Sequence, residues 1–310
     1  MPAERNSLLA ASRRTRRGSR VGALVLVLVS TLAAAIAPAA EPAIWSVEGR
    51  DGGLLLLGSV HLLRPEDYPL PANVTEAYEV ADRLVMELDE SALDPLETQT
   101  LLLRIGRLEE GRTLADVMGQ RDYRKATEYA QALGYPLELL GPLKPWLAAI
   151  TVMNLHTVSL GYLPELGLEQ HLTGLARRDD KPVAALETIE FQLELFDGLP
   201  EATQSSLLLQ TLEEASMMDD QLGKLIGAWR RGDSAALDRE LTRSFDEYPE
   251  VYRRLVTDRN RDWTRQLEKL ADDGGVTLVV VGALHLVGED SVIRMLRDRG
   301  RRVARWRADD

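Results

Sequence analysis

Leu54-Leu55-Leu56-Leu57-Gly58-Ser59-Val60-His61-Leu62-Leu63 is a phrase that the chain repeats far downstream, as Leu278-Val279-Val280-Val281-Gly282-Ala283-Leu284-His285-Leu286-Val287. Each copy is an apolar run followed by glycine, a small residue, an aliphatic residue and histidine. An apolar run of that length, closed by a turn residue, reads as a fully buried strand of the kind found in a parallel sheet covered on both faces. The glycine is expected to let the chain turn where a side chain would obstruct it. The histidine then falls just beyond the carboxyl end of its strand, the edge at which open α/β sheets bind ligands. One histidine in that place could be no more than a polar cap satisfied by backbone. The chain has only 4 histidines, so two at matched positions predict that His61 and His285 face one crevice.

Outward from the first copy, Ile44-Trp45-Ser46-Val47 alternates like a half-buried strand, and Gly49-Arg50-Asp51-Gly52-Gly53 is turn chemistry. Together they predict a β-hairpin whose second strand ends at Gly58. Pro65, Pro69 and Pro71 predict an extended loop beyond His61, followed by a helix over 72–81 with Val74, Ala77, Tyr78 and Ala81 on one face. Arg83–Asp89 is the next strand, with Glu87 at its carboxyl end between Met86 and Leu88. An acid inside an apolar run is costly unless it is paired, hydrogen-bonded or bound to a cation; the alternative is an outward-pointing residue on an edge strand. The strand–helix–strand order places Glu87 at the same sheet edge as His61.

From Pro95 to about Leu175 the pattern is helical, with breaks at Gly106, Gly111, Gly134-Tyr135-Pro136 and Gly141-Pro142. His156, among Leu155, Val158 and Leu160, reads as a core or lining residue. His171, in Glu169-Gln170-His171, reads as a solvated helix position. Val183–Leu186 is a third strand with Glu187-Thr188 at its end, which repeats the Glu87 arrangement. The alternative for Glu187 is a carboxylate favoured by a helix N-terminus. Residues 200–270 read as amphipathic helices, the last running from Tyr248 to Leu270 and carrying Arg259-Asn260-Arg261-Asp262-Trp263, with Arg259 and Trp263 on one face. The second copy supplies the strand Val276–Val281, then come a helix over Ser291–Arg299 and a closing strand over Val303–Trp306. The expected fold is α/β: a mostly parallel central sheet with an N-terminal β-hairpin and a large helical insertion at about 90–270, in one domain spanning 41–310.

An apolar content of 45% in 310 residues is enough for a sizeable core. The formal charge is -12, and residues 1–40 hold six arginines against one acid, so the remainder is still more acidic. Such a surface repels nucleic acid and anionic lipid, which discounts both as partners. The absence of cysteine excludes disulfides, a thiol nucleophile, cysteine-type zinc sites and a lipidated cysteine. Arg13, Arg14, Arg16, Arg17 and Arg20 precede an uncharged stretch from Val21 to Ile36, and Ala37-Pro38-Ala39 is a small-residue cleavage site. Residues 1–39 therefore read as a signal peptide that sends the protein to the periplasm or outside the cell. The alternative is an uncleaved segment anchoring it to the membrane.

Two imidazoles and one or two carboxylates at a sheet edge form an inventory that suits a divalent ion, with zinc, manganese, cobalt and iron all accepting nitrogen and oxygen ligands. Such an ion would lower the pKa of bound water, and a second glutamate could take its proton. The chain has no HExxH, P-loop, GxSxG or GxGxxG signature.

The doubled Gly-x-x-His motifs, with Tyr68-Pro69-Leu70-Pro71, Val85-Met86-Glu87-Leu88, Leu186-Glu187-Thr188, Gln192 and Arg259-Asn260, make the chain resemble the TraB/GumN family, which includes the Tiki membrane-associated proteases. The resemblance implies an erythromycin esterase-like α/β core and a metal-dependent peptidase activity. It implies an active-site cluster of His61, Glu87 and His285 as metal ligands, with Glu87, Glu187, Arg259 and Asn260 in catalytic or supporting roles. The divalent ion would be zinc, manganese or cobalt, and the partner a peptide or small-molecule substrate. The alternatives are a metal-free esterase-like hydrolase and a binding or regulatory protein that holds a peptide or small molecule without turnover.

Overall fold

The computed structural model describes residues 41–89 and 92–308; the expected signal segment lies outside them. Strands β1 (Ile44–Glu48) and β2 (Gly52–Ser59) form the expected antiparallel hairpin, with Ile44 opposite Leu57. With β3 (Arg83–Met86), β4 (Val183–Ala185), β5 (Gly275–Gly282) and β6 (Val303–Arg305) they build a six-stranded sheet in the order β4-β3-β5-β2-β1-β6. The β4, β3, β5 and β2 strands run parallel, and β1 is antiparallel to both its neighbours. The four parallel strands thus present their carboxyl ends along one edge.

The uniformly apolar runs are explained by burial on both faces. Leu55, Leu57, Leu278 and Val280 belong to one core, and Leu54, Leu56, Val279 and Val281 to the other. The first core is covered by α1 (Ala72–Val80), α5 (Leu168–Arg178) and α8 (Met218–Arg230), through residues such as Ala77, Leu172 and Trp229. The second is covered by α11 (Asp258–Ala271) and α12 (Val292–Asp298), through Trp263, Leu267 and Ile293.

Helices α2 (Pro95–Gly106), α3 (Leu114–Ala132) and α4 (Pro145–Ser159) follow β3. After β4 come α6 (Ile189–Asp197), α7 (Glu201–Glu214), α9 (Ser234–Thr242) and α10 (Pro249–Tyr252). Leu114, Ala126, Ala148, Val152 and Leu208 give α3, α4 and α7 a core of their own. The stretch between β3 and β5 therefore has three tasks: a separate helical core, one sheet strand, and helices that cover both sheet faces. The helix expected over Tyr248–Leu270 is interrupted by a π-helical turn at Arg253–Thr257, immediately before α11.

The two copies of the repeated phrase are neighbours, but they are not paired like for like. Ser59, not Gly58, lies opposite Gly282. A one-residue offset exchanges the faces of every side chain in a strand, so equivalent residues of the two copies look in opposite directions. The expected turn role of the glycines is also corrected. Neither has left-handed backbone. A Cβ on Gly58 would lie 3.0 Å from the Ala283 Cα, so glycine is favoured there by the close passage of the chain leaving β5. Strand β2 runs through Gly58 and ends at Ser59. Gly58→Val should lower unfolding stability by about 1–3 kcal/mol, measured by urea titration; an unchanged midpoint would contradict this packing.

Candidate active site

The carboxyl edge of the sheet collects the residues singled out in the sequence. His61 follows β2, Glu87 follows β3, Glu187 stands two residues beyond β4, and His285 lies in the 3-10 turn Ala283–Leu286 after β5. Their meeting point is Gly282. A Cβ placed there would lie 3.5 Å from Glu87 Oε2, 3.6 Å from His285 Cδ2 and 3.6 Å from His61 Nε2. The Gly282 amide also donates to Glu87 Oε2 at 3.1 Å. Gly282 is thus the floor of the site, and its missing side chain leaves the three polar groups facing common space.

Arg259, from the first turn of α11, enters from the opposite side. Its Nε donates to Glu187 Oε1 at 3.0 Å, and NH2 donates to Glu187 Oε2 at 2.7 Å and also to Glu87 Oε1. NH1 donates to the Leu255 carbonyl at 3.0 Å. The side chains of Arg259, Glu187 and Glu87 are 9%, 6% and 17% exposed. Gln192 Nε2 bridges the two carboxylates, at 3.0 Å from Glu87 and 3.2 Å from Glu187. Trp263 Nε1 donates to Glu187 Oε1 at 2.8 Å, and the guanidinium lies over the same indole ring. The expected Arg259–Trp263 face is real, and what it faces is Glu187.

The hydrogen bonds determine the state of His285. Asn260 is fully buried and donates its Nδ2 to the Asp290 carbonyl at 2.7 Å, which turns Oδ1 toward His285 Nδ1 at 2.6 Å. Nδ1 must therefore carry the proton, and Nε2 accepts from Arg259 NH1 at 3.2 Å. Burial pushes the imidazole pKa down to about 3, so the ring is neutral. His61 is different. Its side chain is 66% exposed, and Nδ1 lies 2.6 Å from Glu169 Oε1. Nδ1 is held by that carboxylate, and Nε2 lies on the Gly282 side of the ring, 3.6 Å from where a Cβ on that glycine would stand. Burial raises the Glu169 carboxyl, yet the neighbouring His61 holds it below its ordinary value. Gly167 makes this pairing possible: a Cβ there would lie 2.2 Å from the His61 carbonyl oxygen, so only glycine lets the start of α5 dock close enough to deliver Glu169.

The six expected site residues, His61, Glu87, Glu187, Arg259, Asn260 and His285, form one connected cluster. His156 is half-buried on α4 with Nε2 2.9 Å from the Ala215 carbonyl, a packing role. His171 is not fully solvated as expected but half-buried, its ring 5.6 Å from that of Tyr68. In the Glu169-Gln170-His171 triplet the residue that pairs with His61 is Glu169. Two residues apart on a helix is about 200°, so the two side chains leave in different directions; only the docking of α5 tells which one meets His61.

Burial raises the Glu87 carboxyl pKa, but the Arg259 guanidinium together with the neighbouring His285 and His61 outweighs it and holds the group at about 2. The folded value lies below the ordinary one of 4.5, so the stabilisation is complete above that pH and is lost as pH falls toward about 2. Arg259→Met should leave buried carboxylates without a cation and cost about 3–5 kcal/mol at neutral pH. Acidification should narrow the gap to the parent protein, because the carboxyls then protonate. Denaturant midpoints from pH 7 to pH 3 measure both effects, and a gap that widens toward pH 3 would refute them.

A parallel-stranded α/β core whose carboxyl edge carries two Gly-x-x-His histidines, two glutamates and a buried arginine defines a distinct class of protein. The chain belongs to the TraB/PrgY/gumN family, whose model matches residues 43–305. It is similar to the uncharacterized protein YbaP of Escherichia coli (strain K12), 26% identical over 242 residues that cover 78% of this chain and 87% of the relative. YbaP of Shigella flexneri matches to the same extent. An uncharacterized protein of Treponema pallidum (strain Nichols) is 20% identical over 267 residues, 82% of this chain and 80% of the relative. No solved structure matches the chain significantly.

Proposed function

We propose that the chain is a periplasmic or secreted hydrolase, built on an erythromycin esterase-like core, that activates water at His61 to cleave a peptide or ester bond. The observation that carries this reading is the convergence of His61 Nε2 and Glu87 Oε2 beside Gly282, within 3.5–3.6 Å of where its Cβ would stand. His61 is the exposed member of the cluster, and Glu169 orients its ring as a carboxylate orients the histidine of a nucleophile–base pair. Nε2 takes a proton from water, and the water oxygen attacks the carbonyl carbon. Glu87, held ionised by Arg259, and Glu169 both favour the positive charge that develops on the ring. The same imidazolium then returns the proton to the leaving group. His285, neutral and tied to Asn260 and Arg259, positions the guanidinium that keeps Glu87 in place. Export is supported by the basic, then apolar, then small-residue pattern of residues 1–39.

The expected three-ligand metal set fits only in part. His61 Nε2 and Glu87 Oε2 are suitably placed donors, but the His285 Nε2 lone pair is already engaged by Arg259. A second reading, in which zinc, manganese or cobalt sits between His61 and Glu87, is favoured by the charge of the site, where Glu87, Glu187 and Glu169 outnumber the one guanidinium. A bound ion would supply Lewis-acid activation of water at neutral pH.

His61→Ala should lower hydrolysis of p-nitrophenyl acetate and of a fluorogenic peptide library by about 10²-fold or more, and Glu169→Gln by about 10-fold or more. Full activity in His61→Ala would end the hydrolytic reading. Activity that survives exhaustive chelation selects the metal-free route, whereas loss reversed by one of the three ions selects the second reading. A protein that turns over neither substrate, yet is stabilised against heat by a bound peptide, would be the binding protein instead. Gly282→Ala should fold with an unchanged melting temperature, since its Cβ meets only ordinary van der Waals contacts, while losing about 10-fold or more in kcat/KM because the methyl group stands where water and substrate must meet.

A further inference from the structure

A cavity of about 500 Å³ with predominantly apolar walls adjoins the site. Leu62 and Leu284, the residues beside His61 and His285 in the chain, line it. So does Leu255, whose carbonyl receives the hydrogen bond from Arg259 NH1. Each of these leucines is a chain neighbour of, or hydrogen-bonded to, a member of the cluster, which brings one end of the cavity close to it. Farther out the lining includes Phe196, Leu222 and Met218. Leu222 is only half-buried, so its apolar surface is not consumed by the core. A volume of this size is typical of ligand-binding clefts, and methionine adapts its shape to different occupants.

The charges at the cavity narrow the choice of ligand. Glu214 and Glu240 are among its lining residues, and Arg243, the one cation of that lining among the described residues, lies 4.0 Å from Glu240. A free carboxylate would meet acids there and no unengaged cation. A neutral group would meet no such repulsion.

We propose that this cavity is the specificity subsite of the enzyme and takes an apolar group that adjoins the scissile carbonyl of a neutral ester or amide. The proposal rests on the hydrolytic reading of the His61 site and names the substrate class for it. The acid released by cleavage meets Glu214 as the unpaired charge of the lining among the described residues, with Glu240 and Arg243 offsetting one another, which favours its departure. The apolar group has two chemical sources, an acyl chain or the apolar side chain of a peptide, and the subsite recognises what they share.

The test measures kcat/KM for p-nitrophenyl esters from acetate to octanoate and, in parallel, for peptide anilides with glycine or leucine before the scissile bond. The expected result is a rise of about fourfold per added methylene in the ester series. A matching preference for leucine over glycine marks peptides as a source, and a preference confined to esters marks acyl chains. Leu222→Arg and Thr211→Trp, both in the cavity wall, should each cut the octanoate-to-acetate ratio at least tenfold in folded protein, as judged by circular dichroism. Turnover that does not depend on chain length, or a ratio unchanged in both variants, overturns the subsite and leaves the hydrolytic reading standing. With no turnover of any ester or anilide, a melting temperature raised by octanamide in the parent protein but not in Thr211→Trp keeps the cavity as an apolar binding site and ends the hydrolytic reading. Absence of both turnover and that shift ends both.

Discussion

A single guanidinium in a nearly closed space determines how the carboxyl edge of this sheet is built. Arg259 is donated to by nothing and donates to Glu187, Glu87, His285 and the Leu255 carbonyl. Taking a guanidinium and two carboxylates out of water is favourable only when nearly every donor and acceptor is matched. Here the Nε and NH2 groups of Arg259 grip both oxygens of Glu187, while Gln192 and Trp263 fill remaining acceptor positions. This network ties β3, β4, α6, α11 and the turn after β5 into one unit. It keeps Glu87 ionised and His285 neutral at neutral pH. The π-helical turn at Arg253–Thr257 belongs to the same construction, since it precedes Arg259 by one residue and presents the Leu255 carbonyl to it. Such turns recur at functional sites because they shift the register of a helix by a fraction of a turn.

The two histidines that look equivalent in the sequence have been given opposite environments. His285 is buried, its ring 4.3 Å from that of Trp263, with both nitrogens engaged by α11. His61 is largely exposed and leans on Glu169. The environments differ in burial: the buried ring resists protonation and its Nε2 serves as an acceptor for Arg259, whereas the His61 side chain is largely exposed and pairs with Glu169. The glycines differ too: Gly58 makes room for the backbone at Ala283, and Gly282 lets Glu87, His61 and His285 approach one another.

Much of this was readable in the sequence where a residue type has only one inexpensive environment. Leu54–Leu57 and Leu278–Val281 read as doubly covered strands, and a glutamate between Met86 and Leu88 had either to find partners or to point outward from an edge strand. Those constraints placed His61, Glu87, Glu187 and His285 at one edge before any coordinates, and the Arg259–Trp263 spacing announced a shared helix face. Glu169 escaped because an acid in the first turn of a helix is ordinary on its own. Its importance comes from Gly167, which lets α5 approach His61.

The sequence by itself therefore determined the alternation of buried strands and covering helices, and which end of the sheet would carry polar groups. That follows because burial and backbone periodicity are local costs that each segment must meet wherever it ends up. The tertiary structure alone decided the one-residue offset of β2 against β5, the choice of Glu169 over His171, and the capture of both carboxylates by Arg259. These are relations between segments, set by the register of a ladder and the docking of a helix. A single step along either changes which face a side chain occupies without altering anything that the local sequence can record.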